Sequence, residues 1–127
     1  MPRTHETRDG TLRLGCQRLD VYRVAVRFYG LVPSLVKGAA YGLRDQLERA
    51  SYSIVLNIAE ASGRKHVGDR RRFFSIARGS AYECAAVPDL LLVRECIDQV
   101  QWEEAQRLLV RSVQMLTKLA LPRPVAG

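Results

Sequence analysis

From Asp20 onward the apolar positions recur in steps of three and four. Val21, Ala25, Phe28, Val32 and Leu35 share one face of a helix. Asp20 stands where a carboxylate accepts from the free amides of a first turn, which predicts it as the N-cap. Pro33 removes a ladder donor and Gly38 tolerates a left-handed cap, so this helix is expected to kink or stop there. Leu43, Leu47, Ala50, Ile54, Ile58 and Ala61 predict a second helix over 41–64, with Ser62-Gly63 as its stop. A third starts after Gly68 or Asp69 and runs to about Cys96. It places Phe73, Ile76, Ser80, Cys84, Val87 and Leu91 on one face, widened by Phe74, Ala77 and Ala81. Pro88 falls inside it and deprives the Cys84 carbonyl of its amide, which predicts a bend. The fourth opens on Asp98 and Gln101, spaced as a capping box, and turns Trp102, Ala105, Leu109, Val113, Leu116 and Ala120 inward. Pro122 and Pro124 end it.

No Asn-Gly turn or strand alternation interrupts these periods, so the fold class is all-α. Four helices of roughly 18 to 28 residues span ~27–42 Å each. Short links make consecutive helices antiparallel, which predicts an up-down-up-down four-helix bundle over 19–121. Residues 1–18, with Arg3, Arg8, Arg13 and Arg18, read as a basic arm, and 122–127 as a tail. Two of the helices carry apolar residues on more than one face, the mark of a further buried surface such as a subunit contact.

Composition narrows the class. The chain has 127 residues, 47% of them hydrophobic, which suits one small globular domain. It holds no apolar run of ~18 residues, so no membrane span is expected. Its polar first residues predict no secretory signal. Three scattered cysteines, an odd number, point to a reducing cytoplasm rather than a disulfide framework.

Candidate chemistry is sparse. Ser53, Asn57, Glu60 and Arg64 line one face of the second helix, and Ser80 and Glu83 face the same way from the third. Two carboxylates in one pocket would suit acid–base work. The favoured reading is a structural polar seam, because buried polar groups left alone cost about 1–3 kcal/mol and so pair with one another. A di-iron bundle site needs Glu-x-x-His repeats, and neither His5 nor His66 lies in one. Cys16, Cys84 and Cys96 have no metal-ligand spacing, and no phosphate loop occurs. No catalytic residue, metal or cofactor is therefore assigned, and the chain is expected not to be an enzyme.

Charge speaks more clearly. The chain carries 20 Lys and Arg against 13 Asp and Glu, a net +7. Arg64, Lys65, Arg70, Arg71, Arg72 and Arg78 cluster within one segment against the single acid Asp69. Such a cluster can bind phosphates by releasing their counterions. Its plainer alternative is a solvated corner, or arginines paired with acids of a neighbouring subunit. Phe73 and Phe74 are more economically core than base-stacking residues.

The segments YGLRDQLERASYSIVLNIAEASGR (41–64) and FFSIARGSAYECAAVPDLL (73–91) resemble the four-helix bundle protein family. That family includes proteins encoded in intervening sequences of large-subunit ribosomal RNA genes, and it is related in fold to the accessory variability determinants of diversity-generating retroelements. Ser53, Ile54, Asn57, Ile58, Ala59 and Glu60, with Ala77, Gly79, Ser80 and Glu83, carry the most specific part. The chain departs from the pattern at Ala61, across Lys37 to Ala40, and at Pro88. The resemblance implies a ring-like homopentamer without known catalytic activity. Its retroelement branch implies binding of nucleic acid and of a protein partner through a basic surface. The expected role is thus an oligomeric adaptor with a basic face for RNA or DNA. The rival is a purely structural oligomer with no nucleic-acid ligand.

Overall fold

The apolar periods become four helices: α1 (Asp20–Leu35), α2 (Tyr41–Ser62), α3 (Val67–Val93) and α4 (Gln99–Ala120). The structure, a computed structural model, describes residues 4–6 and 12–122. Arg3, Arg8 and Pro124, named above in the arm and tail, lie outside the described residues. α1 packs on α2, α2 on α3, α3 on α4 and α4 back on α1, closing a bundle around one core. Cross-contacts give the directions. Gln46 meets Glu83 and Ser53 meets Ser80, so α2 and α3 run antiparallel. Asp89 meets Trp102 and Arg78 meets Thr117, so α3 and α4 do too.

Burial follows the stripes. Phe28, Leu35, Leu47, Ile54, Ile58 and Leu91 are sealed in the core with Leu109 and Leu116. Side chains of this size contribute roughly 1.5–3 kcal/mol each when fully buried. The polar groups inside are satisfied locally: Ser51 and Ser112 donate to the carbonyls of Glu48 and Leu108, both at 2.9 Å. On the α1–α2 surface the Tyr29 hydroxyl donates to Glu48 Oε1 at 2.6 Å.

Several details differ from the sequence expectation. Leu19 is the N-cap of α1, and Asp20 is its first residue, paired with Arg23. An acid inside the first turn still complements the helix dipole. The end of α1 is as expected: it stops at Leu35, between Pro33 and Gly38. α2 ends at Ser62, two residues short of Arg64 but at the Ser62-Gly63 stop its sequence marks. α3 begins at Val67, earlier than Gly68 or Asp69, and ends at Val93 rather than Cys96. Its inner face is turned toward Phe74, Ala77 and Ala81; Ile76 is exposed and Phe73 half-buried. Pro88 is buried within an unbroken α3. The arm is not featureless: β1 (Thr4–Glu6) and β2 (Leu12–Leu14) form an antiparallel pair with His5 opposite Arg13. A 3-10 turn, Gly15–Arg18, then tucks the buried Cys16 against α1 and α2. Three-residue strands are too short to register as alternation.

No helix among the described residues is long and apolar enough to cross a membrane.

Candidate functional site

The α2–α3 corner is built by four linking residues. Gly63 caps α2, its amide donating to the carbonyls of Ala59 and Glu60 at 3.2 Å. After Arg64, Lys65 and His66 the chain re-enters a helix, with the Arg70 amide donating to the His66 carbonyl at 3.0 Å. So tight a link places the last turn of α2 beside the first turns of α3. The cations of both therefore meet at one end of the bundle.

Their side chains have different fates. Arg64 donates to Glu60 Oε1 at 2.5 Å. The guanidinium carbons of Arg64 and Arg72 each lie 4.7 Å from the centre of the Phe73 ring. One aromatic ring thus steadies two cations, and each such contact contributes about 0.5–1 kcal/mol at an exposed site. Lys65, Arg70 and Arg72 are exposed and Arg71 is half-buried. Among the described residues the ion pairs are Arg23–Asp20, Arg49–Asp45 and Arg64–Glu60, which leaves Lys65, Arg70, Arg71 and Arg72 without a carboxylate within 4.0 Å. Arg78 does not join them. Its Nε donates to Thr117 Oγ1 at 2.8 Å and its guanidinium sits over Tyr82, so it ties α3 to α4.

Beside the cations lies an open groove of about 850 Å³. One wall is Leu14, Gly15 and Cys16 of the arm, with Leu19 at the head of α1. The other is Ala59, Val67, Phe74 and Leu119, from α2, α3 and α4. Arg64, Lys65, Arg70 and Arg71 border it.

The polar face of α2 divides. Ser53 and Ser80 share a hydrogen bond of 2.8 Å across the α2–α3 contact, and Asn57 Nδ2 donates to the Ser53 carbonyl and hydroxyl at 2.9 and 3.1 Å. The two carboxylates stand apart from this group and from each other. Glu60 is held by Arg64, whereas Glu83 accepts from Gln46 at 3.1 Å. Gln46 and Glu60 are fourteen positions apart on α2, about 21 Å at the helical rise, so a two-carboxylate pocket does not form. Among the described residues no three His, Cys, Asp or Glu side chains gather as metal ligands. Cys84 is sealed in the core; burial, and after it the charge of Glu83, push its thiol from an ordinary 9.0 up to about 12, far from a reactive thiolate.

The profile of the 23S rRNA-intervening sequence protein family matches residues 17–118, most of the chain. The chain belongs to that family. A solved structure, described as a protein of unknown function from the S23 ribosomal protein family of Bacteroides thetaiotaomicron, is similar to this family member. It is 25% identical with a TM-score of 0.71, and the match covers 80% of this chain and 95% of that one. No curated protein matches the chain significantly.

The groove is the part of this 23S rRNA-intervening sequence protein that sequence reasoning missed. Leu14, Gly15 and Cys16 of its lining come from the arm, which carries no helical period to announce where it docks. The one available signal was Leu12 and Leu14 ahead of Gly15, two apolar residues before a turn and too few to make a period.

Proposed function

We propose that this 23S rRNA-intervening sequence protein is a non-enzymatic binding module for RNA or DNA, working through the corner where α2 meets α3. One observation carries the reading: Lys65, Arg70, Arg71 and Arg72 gather there without carboxylate partners among the described residues. Cations without a carboxylate partner have no ion pair to break before they meet phosphate, and each phosphate they neutralise releases counterions. Arginine forks also match phosphate oxygens two at a time. Fluorescence anisotropy with mixed-sequence RNA and DNA at two salt concentrations tests it. Binding is expected to weaken steeply with salt, with a log–log slope of about 0.7–0.9 per phosphate contacted. The triple variant Arg70→Ala, Arg71→Ala, Arg72→Ala is expected to lose it. Absence of binding at low salt overturns the proposal.

A second reading rests on a separate feature, the outer face of α3. Ile76, Gly79, Ala86, Leu90 and Val93 form an exposed stripe of small and apolar residues broken only by Glu83. We propose self-association through it, five-fold if the family resemblance extends to assembly. The two readings are compatible, because a ring would repeat the basic corner and add the weak contacts together.

A further inference from the structure

We infer that the groove beside the basic corner takes unpaired nucleobases of a bound single strand, while the adjoining phosphates stay at the cationic rim. This rests on the proposed nucleic-acid role of the same corner and gives it a ligand class.

Phosphate binding alone needs no cavity, since cations on a flat surface suffice. Here the cations border a groove of about 850 Å³, within the roughly 300–1,000 Å³ typical of small-molecule sites. Its walls are largely apolar, from Leu14, Leu19, Val67, Phe74 and Leu119. A nucleobase has two apolar faces and a polar edge, so such walls suit its faces and the rim suits its edge and phosphate. In a duplex those faces are already stacked, and the groove would go unused. An extended acidic peptide also complements the charge. Its carbonyls would meet the donors of the rim, but its amides would find Ser62 as the only oxygen-bearing side chain among the lining residues, and unpaired backbone groups are costly. Arg64 adds a further element. Steadied by Phe73 and Glu60, it presents a guanidinium at the rim, and guanidinium planes are stacking surfaces for unpaired bases.

The test compares a short single strand with an abasic strand of the same length, which keeps every phosphate and lacks the bases. The intact strand is expected to bind about tenfold more tightly, with the same dependence on salt. Leu119→Gln makes the wall polar without changing charge, at a position 37% exposed, where the fold tolerates it. It is expected to narrow that gap and leave abasic binding unchanged. Equal affinity for the two strands overturns the inference while the phosphate reading stands. Failure of both strands to bind at low salt overturns the two together. Displacement of the intact strand by polyglutamate as efficiently as by unlabelled strand overturns the nucleobase in favour of a peptide.

Discussion

Cys84 illustrates how far position outweighs residue type. Its thiol is sealed between helices, and burial raises it to about 12. In the folded protein at mildly alkaline pH, an alkylating reagent is expected to modify the half-exposed Cys96 and spare Cys84 and Cys16, both buried. Intact mass is then expected to show one adduct before unfolding and three after. The sign of the pH effect follows from the same burial. Between 9.0 and about 12 the unfolded chain loses the Cys84 proton while the folded chain keeps it. Stability contributed by the neutral thiol is therefore complete below the unfolded value and falls as pH rises through this window, by at most about 1.4 kcal/mol per pH unit. Wild type and Cys84→Ala, unfolded by urea at pH 8 and pH 10, are expected to differ in that slope. The place of Cys84 on an apolar face was legible from its spacing to Ser80, Val87 and Leu91. The fate of Arg78 was not: in sequence it closes the cationic run, but seven residues after Arg71 it has moved along α3 to reach Thr117. Glu60 and Glu83 share a helical phase with the serines, yet phase says nothing about height along the bundle, and height is what separates them.

At the scale of elements, ends are decided by caps. Asp98 and Gln101 form the box their spacing predicts: Asp98 Oδ1 accepts from the Gln101 amide at 2.8 Å, and Gln101 Oε1 accepts from the Asp98 amide at 3.0 Å. Asp98→Ala is expected to cost about 1 kcal/mol in urea unfolding. The preceding link has a less visible device. After the α3 cap at Arg94, the Cys96 amide donates to the Leu91 carbonyl at 2.8 Å and the Glu95 amide to that of Leu92 at 3.0 Å. This is a Schellman closure, and it puts Glu95 at φ 59°, a conformation that suits glycine. Glu95→Gly is expected to stabilise the fold by about 1 kcal/mol and to raise Tm by about 4 °C. A fall in Tm would show that the Glu95 side chain contributes more than its backbone costs. The cap at Asp98 was legible because its signal is a pair of residue types at fixed spacing. The stop at Val93 was not, because a glutamate occupies the position where glycine would have marked it. Helix cores were legible for a simpler reason: each stripe repeats five or six times, so one misplaced residue such as Ile76 does not hide the period.

The whole molecule poses a question about its outside. α3 is 27 residues long and lies between α2 and α4, yet it still exposes Ile76, Leu90 and Val93. A helix apolar on opposite sides is usually covered on both. α1 and its neighbour α2 in turn expose Val26, Tyr52 and Leu56. Two different apolar patches are what a head-to-tail contact requires, and such contacts form rings when their rotation closes. In the proposed assembly a charge placed on the α3 stripe must be desolvated at every interface, at a cost of several kcal/mol. Leu90→Lys is accordingly expected to bring the mass measured by light scattering down to the 14.3 kDa of one chain, with the helical circular dichroism unchanged. Arg70→Ala, Arg71→Ala, Arg72→Ala is expected to leave the oligomer mass as it was: only Arg72 adjoins the stripe, one turn before Ile76, and alanine there adds no charge to the interface. The opposite pattern, oligomers that survive Leu90→Lys and fall apart with the arginines removed, would mean that those guanidinium groups are paired with a neighbouring subunit. In that case the corner holds the assembly together and is no longer free to meet a phosphate chain.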